Sequence, residues 1–216
     1  MTPPPDLPDS WAYRAEEKHP LVEAFLADQV PAELGRVETA IHAGDEMFAY
    51  LSTLRHGARD RALVDYFRSG WMAAVTLAPL CSPAPSAPVR ILDFASGWGR
   101  VTRFLKPLLP GAEIWVSDIS RGGVAFQRQV LGVEGFVSAS RPEDLEVPGT
   151  FDVSTFDVIL VSSLFTHLPR GTFGRWLARL WGLLAEGGRL VVSTHDLSAM
   201  PPGETAEEDG FFFLER

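Results

Sequence analysis

The sequence predicts an α/β fold: a Rossmann-like, doubly wound, mostly parallel sheet with helices on both faces, behind an N-terminal helical extension. Three observations predict it. An apolar run over 89–94 leads into a small-residue loop over 95–99 and then into a helical segment. Beyond that loop, short apolar runs alternate with helical segments, which is typical of parallel strands joined by crossover helices. Before it, residues 21–80 show helical periodicity.

The chain divides into four segments. Residues 1–20, rich in proline and polar side chains, predict an extended lead-in. Residues 21–80 predict a helical extension, and the Pro/Ser-rich stretch 81–88 is a linker because its prolines exclude a helix or a central strand. Residues 89–216 predict the cofactor-binding domain. Its strands are expected near 89–94, 113–117, 135–138, 156–161 and 188–194, and its helices near 98–107, 120–131, 142–145 and 170–185.

Composition excludes several classes of function. The net charge of -9 and the lack of a Lys/Arg cluster argue against a nucleic-acid partner, which requires a basic surface. No apolar run is long enough to span a bilayer and the N-terminus lacks the layout of a signal peptide, so we expect no membrane association. The single cysteine, Cys81, excludes an intrachain disulfide and fits a cytoplasmic location. No Cys/His/Asp spacing indicates a metal site.

The loop after the first strand indicates a cofactor site. Gly97 and Gly99 let the backbone turn sharply and approach a ligand, and the helix that follows offers free backbone N–H groups. A dinucleotide fingerprint would have a third glycine where Thr102 stands. Asp93, at the mouth of the strand, suits a cationic amino-acid ligand and would repel a pyrophosphate. Asp118 ends the next strand about 20 residues further on, where doubly wound folds place the carboxylate that binds ribose hydroxyls.

Taken in order, these features resemble the class I S-adenosylmethionine-dependent methyltransferases. The resemblance covers residues 90–194, about half of the chain. It implies an enzyme with S-adenosylmethionine as cofactor and a small organic molecule as methyl acceptor, with a sugar or a natural-product intermediate as candidates. The matching stretches are ILDFASGWG at 91–99, the acid Asp118, FDVILV at 156–161 with SSLFTHLP at 162–169, and LLAEGGRLVVST at 183–194.

The resemblance also implies which residues bind the cofactor. Asp93 and the loop backbone would hold the methionine end, and Ile119 would pack on the adenine. Arg141 stands where the family often has an acid that meets the adenine amino group, which leaves Glu143 or Asp144 as a substitute. The implied cofactor-binding residues are Asp93, Phe94, Ala95, Ser96, Gly97, Trp98, Gly99, Asp118, Ile119, Glu143, Asp144 and Ser162.

Two loop residues depart from the family pattern. Ala95 replaces the first glycine of the loop, and alanine is tolerable there if the backbone keeps a negative φ. Trp98 is bulky for this position. It either stacks against the ligand and covers the pocket, or packs against the N-terminal helices.

Four further residues are candidates for catalysis or substrate binding. His167 is the candidate general base, because it follows the fourth strand at the active-site edge and titrates near neutral pH. The alternative is a structural polar residue in the first turn of the next helix. His195, after the fifth strand, is a candidate substrate contact or an ordinary loop histidine. Tyr50 and Tyr66 of the extension are candidates for the acceptor site, although their helical spacing is also what core packing produces.

The C-terminal region and the loop departures leave other possibilities open. Residues 211–214 are the candidate sixth strand, and the antiparallel seventh strand that the family normally has is not evident. An exposed Phe-rich edge favours association, so a homodimer through this edge is expected. A non-catalytic methyltransferase-like binding or scaffold protein is the main alternative, given Ala95 and Arg141. An NAD(P)-dependent oxidoreductase is disfavoured by Asp93 and Thr102.

Overall fold

The computed structural model describes residues 13–14, 19–81, 89–148, 155–196, 198, 200, 202–208 and 211–213. The helices are α1 (Pro20–Gln29), α2 (Glu46–Leu54), α3 (Arg59–Leu77), α4 (Thr102–Leu108), α5 (Arg121–Phe126) and α6 (Arg170–Trp181). The strands are β1 (Tyr13–Arg14), β2 (Ile41–His42), β3 (Arg90–Phe94), β4 (Glu113–Asp118), β5 (Glu134–Val137), β6 (Phe156–Val161) and β7 (Leu184–Val192). None of the helices in the described ranges has both the length and the apolar composition of a membrane span.

Five strands form a parallel sheet in the order β5-β4-β3-β6-β7, which confirms the predicted fold class. From β3 the chain builds outward on one side through β4 and β5, then crosses back to build the other side through β6 and β7. This reversal opens a crevice at the carboxyl end of β3, the place where α/β sheets bind ligands. β1 and β2 pair separately as a short antiparallel ribbon, which the sequence did not predict.

Alternate residues of the central strands enter two different cores, as the pleat of a strand requires. Ile91 and Leu160 lie in the core that α1, α3 and α4 cover, whereas Leu92 and Ile159 lie in the core that α6 covers. All four side chains are fully buried. Burial on two faces explains why β3 and β6 are continuous apolar runs rather than alternating ones.

The helical extension shares its core with the sheet. Phe67 of α3 is fully buried and packs edge-on against Phe104 of α4, with ring centroids 6.4 Å apart. Arg103 of α4 is only 2% exposed, and its guanidinium donates to the carbonyl oxygens of Glu38 and Ala40. This packing fixes the position of the extension relative to the loop after β3.

Two helix boundaries differ from the prediction. α4 begins at Thr102 rather than near 98, because residues 98–101 form turns. α6 ends at Trp181, with Gly182 at its C-cap, and Leu184 already begins β7. Leu184 continues the apolar spacing of the helix in the sequence, but it is buried as a strand residue in the core beneath α6.

The predicted sixth strand is wrong over 211–213, which lie outside any strand, and Leu214 lies outside the described residues. Phe211 packs edge-on against Phe173 of α6, with the Arg170 guanidinium 4.3 Å above its ring. Contact with α6, rather than with the sheet, buries this aromatic ring in part. Within the part of the chain that the structure describes, β7 has one paired neighbour, β6.

Candidate functional site

A cavity of about 560 Å³ opens at the carboxyl ends of β3, β4 and β6, in the crevice that the strand order creates. Its volume is that of a small-molecule or cofactor site. The loop after β3 forms one part of its wall, and α2 of the extension forms another. The lining residues are Asp45, Glu46, Met47, Tyr50, Asp93, Phe94, Ala95, Ser96, Gly97, Trp98, Arg100, Val101, Asp118, Ile119, Ser120, Ser138, Ala139, Ser140, Ser162, Ser163, Leu164, Leu168 and Trp176.

Asp93 lies near the end of β3, lines the cavity and is only 3% exposed. Its Oδ2 is 2.7 Å from Thr102 Oγ1. Burial raises the pKa of Asp93 to about 6, although the Thr102 hydrogen bond and the charge of Arg100 oppose the increase. A cation in the cavity would favour the ionised carboxylate, so Asp93 is suited to bind a positively charged group.

Asp118, at the end of β4, is held by two backbone N–H groups. Gly97 N donates to its Oδ2 and Ser120 N to its Oδ1, both at 2.8 Å. Gly123 of α5 lies so close to the loop that a Cβ there would come within 2.4 Å of Gly97 O. The loop, α5 and Asp118 are therefore fixed relative to one another. Each carboxylate oxygen keeps further lone pairs that can accept from ligand hydroxyls.

The loop after β3 takes a left-handed backbone at Ala95, Gly97 and Gly99, with φ of 58°, 60° and 79°. The negative φ under which alanine would be readily tolerated at position 95 is therefore not met. Ala95 N donates to Ser117 O at 2.7 Å, and this bond to β4 holds the strained conformation in place. Gly99 does not line the cavity. It packs against Leu131 on the other side of the loop, where a Cβ would lie 2.5 Å from Leu131 Cδ1.

Sequence reasoning missed Gln127. It begins a π-helical stretch, Gln127–Leu131, that continues α5, and its side chain is fully buried. Its Nε2 donates to Ser96 Oγ at 2.9 Å and to Gly97 O at 3.0 Å, and its Oε1 lies 2.9 Å from Thr102 Oγ1. π-Helical stretches are frequent at functional sites. In the sequence, however, helical periodicity does not distinguish a glutamine that contacts a loop from an ordinary polar residue on a helix surface.

Trp98 packs against the N-terminal extension, through strand β2 rather than a helix, and also faces the cavity. Its ring stacks on His42 of β2, with centroids 4.2 Å apart and an interplanar angle of 7°, and Phe126 packs beside it at 5.9 Å. Trp98 also lines the cavity. Gly44 permits this stack, because a Cβ there would lie 3.0 Å from the indole ring. Burial lowers the pKa of His42, against the charge of Asp45, so the stacked imidazole is neutral at pH 7.

α2 contributes Met47 and Tyr50 to the wall, and Tyr50 is 57% exposed. Asp45 caps α2 by accepting from Phe48 N at 3.0 Å. Tyr66 is fully buried instead, and its hydroxyl donates to Asp45 Oδ2 at 2.5 Å. Burial also raises the pKa of Tyr66. The predicted substrate contact of Tyr66 is therefore wrong, because its hydroxyl anchors the α2 cap from inside the core.

Glu143 and Asp144 do not line the cavity. They lie on an exposed turn after β5, where Asp144 pairs with Arg141 at 2.7 Å and Glu143 with Arg175 at 3.2 Å. Residues 138–140, with the sequence Ser-Ala-Ser, line the cavity in their place. The predicted adenine contacts of both acids therefore have no geometric support in this cavity.

His167 and His195 are both exposed, on a turn after β6 and in the segment after β7. Among the described residues, no histidine lines the cavity, so neither candidate role has geometric support. Ser162 and Ser163 line this edge instead. Ser163 has a φ of 70°, and its N–H donates to Ser193 Oγ at 2.7 Å.

The wall fits a nucleoside cofactor that carries a cationic amino-acid group. Asp93 matches the cation, Asp118 matches ribose hydroxyls, and Ile119, 67% exposed at the wall, offers an apolar surface to a flat base. A carboxylate at the position of Asp93 would repel the pyrophosphate of a dinucleotide. Within the described ranges, no group of three or more His, Cys, Asp or Glu could hold a metal ion. Fold and cavity are thus compatible with a nucleoside ligand that carries a cationic group.

Comparison with known proteins identifies this domain. Residues 92–190 match the family model described as a methyltransferase domain. This segment, a little under half of the chain, therefore resembles a methyltransferase domain, and the strand order β5-β4-β3-β6-β7 agrees with a Rossmann-like fold. The resemblance inferred from the sequence is confirmed.

Two curated relatives are called demethylmenaquinone methyltransferase. The one from Thermus thermophilus is 34% identical over 107 residues, which are 49% of this chain and 47% of the relative. The one from Deinococcus radiodurans is 30% identical over 151 residues, 69% of this chain and 59% of the relative. The chain thus spans about half the length of these relatives. CalS10, an amino pentose methyltransferase from Micromonospora echinaspora, is a similar solved structure, with a TM-score of 0.49 and 19% identity over 67% of this chain and 55% of that one.

Proposed function

We propose that this protein transfers a methyl group from S-adenosylmethionine to a small organic acceptor. The observation that carries the proposal is the presence of two buried carboxylates, Asp93 and Asp118, in one cavity beside the glycine loop of a methyltransferase domain. When bound, S-adenosylmethionine supplies an electrophilic methyl group.

Each wall residue has a role in this proposal. Asp93 binds the cationic amino-acid end, Asp118 accepts from the ribose hydroxyls, and Ile119 covers the base. Ser162 lines the same cavity at the carboxyl end of β6, where the acceptor would meet the cofactor. Methyl transfer depends mainly on alignment and on exclusion of water, so this wall can serve the reaction without a histidine base.

The acceptor site lies between α2 and the segment after β6. Met47 and Tyr50 provide apolar surface from α2, and Leu164 and Leu168 provide it after β6. Such walls favour an acceptor with a flat or aliphatic body. Demethylmenaquinone, named for the two relatives, is one candidate, and a sugar or natural-product intermediate is another. The homodimer, the cytoplasmic location and a catalytic role for His167 stay predictions.

Calorimetric titration with S-adenosylhomocysteine, with NAD as a control ligand, tests cofactor binding. We expect binding of S-adenosylhomocysteine alone. Asp93→Ala should weaken it about 10- to 100-fold, the effect of losing one charge-assisted contact. Asp144→Ala is the matched control, because Asp144 pairs with Arg141 outside the cavity, and its affinity should equal that of the wild type.

Turnover is then measured by mass spectrometry with S-adenosylmethionine and a panel of quinol, phenol and amino-sugar acceptors. A methylated product supports the proposal, and the activity of His167→Ala then tests the predicted catalytic role of His167. Binding of S-adenosylhomocysteine without turnover of any acceptor would favour a non-catalytic binding protein. Failure to bind S-adenosylhomocysteine would refute the cofactor assignment itself.

A further inference from the structure

Gln127 connects the loop after β3 to the first residue of α4 through one amide group. Its Nε2 lies 3.0 Å from Gly97 O, a carbonyl that can only accept, so the amide nitrogen must point to the loop. Its Oε1 then points to Thr102 Oγ1, 2.9 Å away. The orientation of the amide is therefore fixed by its partners, and Oε1 needs a donor.

Among the described residues, the donor to Gln127 Oε1 is the Thr102 hydroxyl, which also lies 2.7 Å from Asp93 Oδ2. A hydroxyl has one hydrogen to donate. If that hydrogen goes to Gln127, Asp93 must carry a proton and donate it to Thr102 Oγ1. If Asp93 is ionised, it takes the hydrogen, and the fully buried Gln127 Oε1 loses its donor. The three side chains are thus all satisfied only when Asp93 is protonated.

We propose that Gln127 is a positioning residue that competes with Asp93 for the hydrogen of the Thr102 hydroxyl, so that binding of a cation at Asp93 is coupled to release of the proton that the protonated fraction of Asp93 carries. The proton leaves Asp93, the Thr102 hydrogen turns from Gln127 to the new carboxylate, and the ligand cation pairs with it. This inference rests on the proposed function for the identity of the ligand.

Other charged groups around Asp93 leave the direction of this coupling unchanged. Asp118, on the neighbouring strand, favours the protonated carboxyl, and Arg100, before α4, favours the ionised one. Cys81, in the turn after α3, is buried and its pKa is raised to about 12, so it stays neutral. Burial raises the pKa of Asp93 to about 6, which places the exchange in an accessible pH range.

The test measures protons released on binding. Titration with S-adenosylhomocysteine in two buffers of different ionisation enthalpy gives that number at pH 6 and pH 8. We expect about half a proton at pH 6 and almost none at pH 8, since the carboxyl titrates at about pH 6. Asp93→Asn is the control that should release none.

Two variants should shift the titration of ligand-free Asp93 in opposite directions. Gln127→Met removes the competing acceptor, so the Thr102 hydrogen stays with Asp93 and the midpoint falls by about half to one pH unit. Thr102→Val removes the donor, so the midpoint rises by a similar amount. The carboxyl carbon resonance of Asp93, assigned with Asp93→Asn, reports this midpoint by NMR without any ligand.

The outcomes are distinct. Opposite shifts in the two variants, with less proton release in Gln127→Met, support the inference. Affinity lowered by the same factor at every pH, with an unchanged Asp93 midpoint, would show that Gln127 is merely structural and would overturn it. Absence of ligand binding at any pH would refute the proposed function alone, because the NMR midpoints still decide the role of Gln127. If one variant fails to fold, the other gives the direction by itself.

Discussion

Replacement of Asp93 by asparagine should stabilise the ligand-free protein at neutral pH while it weakens cofactor binding. The carboxyl is 3% exposed, and burial raises its pKa from 3.8 to about 6. A difference of about two pH units between the native and unfolded states lowers the free energy of unfolding by about 3 kcal/mol at pH 7.5. Asparagine keeps the shape, can donate to Thr102 and does not ionise. Asp93→Asn should therefore raise the free energy of unfolding by about 2–3 kcal/mol.

The pH dependence of this difference follows from the direction of the shift. Because the pKa of Asp93 is higher in the native state, that state binds more protons between about pH 4 and pH 6. The free energy of unfolding of the wild type thus falls, relative to the variant, as the pH rises through this window. At pH 4.5 the advantage of Asp93→Asn should shrink to about 1 kcal/mol. Other carboxyls titrate in both proteins and cancel.

Urea unfolding of both proteins at pH 7.5 and pH 4.5 measures the two differences. Titration of the folded variant with S-adenosylhomocysteine measures affinity. An equal stability difference at both pH values, or a variant less stable than the wild type at pH 7.5, would refute the reasoning about an ionised carboxyl in a buried position. A variant that is more stable yet binds as tightly as the wild type would refute the role of Asp93 as a cation partner.

Three other substitutions test the scaffold of the site. Ala95→Gly relieves the strain of a φ of 58° but adds conformational freedom to the unfolded chain. Urea unfolding should therefore show a free energy of unfolding equal to that of the wild type or up to about 1 kcal/mol higher. A decrease of more than about 1 kcal/mol would contradict strain at Ala95. Gly99→Ala brings a Cβ within 2.5 Å of Leu131 at positive φ, so unfolding free energy should fall by about 2 kcal/mol or more, with weaker cofactor binding by calorimetry. Tyr66→Phe leaves the buried Asp45 carboxylate short of a donor and should lower the melting temperature by an amount equivalent to about 1–3 kcal/mol, whereas an unchanged melting temperature would mean that the bond contributes nothing.

The cofactor half of the site could be predicted because parallel strands bring their carboxyl ends to one edge of the sheet. Asp93 and Asp118 stand at such ends, and both line the cavity as expected. The apolar run before each carboxylate is enough to predict its position at the end of a strand. By contrast, Gln127 reaches the loop through a π-helical stretch, and nothing in the spacing of a polar helix residue indicates that contact.

The other failures have separate physical causes. Glu143 pairs with Arg175 of α6, a long-range ion pair that local spacing does not encode, and Asp144 pairs with Arg141 three residues before it, on an exposed turn outside the cavity. Ala95 takes positive φ because its N–H bonds to a neighbouring strand, a tertiary contact that overrides the residue's own preference. Tyr66 satisfies helical periodicity as a core residue, which is indistinguishable in sequence from a residue facing a pocket.

The core shared between α3 and α4 has a consequence for any attempt to change what this cavity binds. Phe67 of α3 and Phe104 of α4 lie in one packed interior, so the extension is not an interchangeable module. Transplanting the corresponding segment from a relative would break that interior. Met47 and Tyr50, by contrast, are exposed on α2 at the cavity wall. Ligand selectivity is therefore best altered by single substitutions at these exposed positions, with the packed core left unchanged.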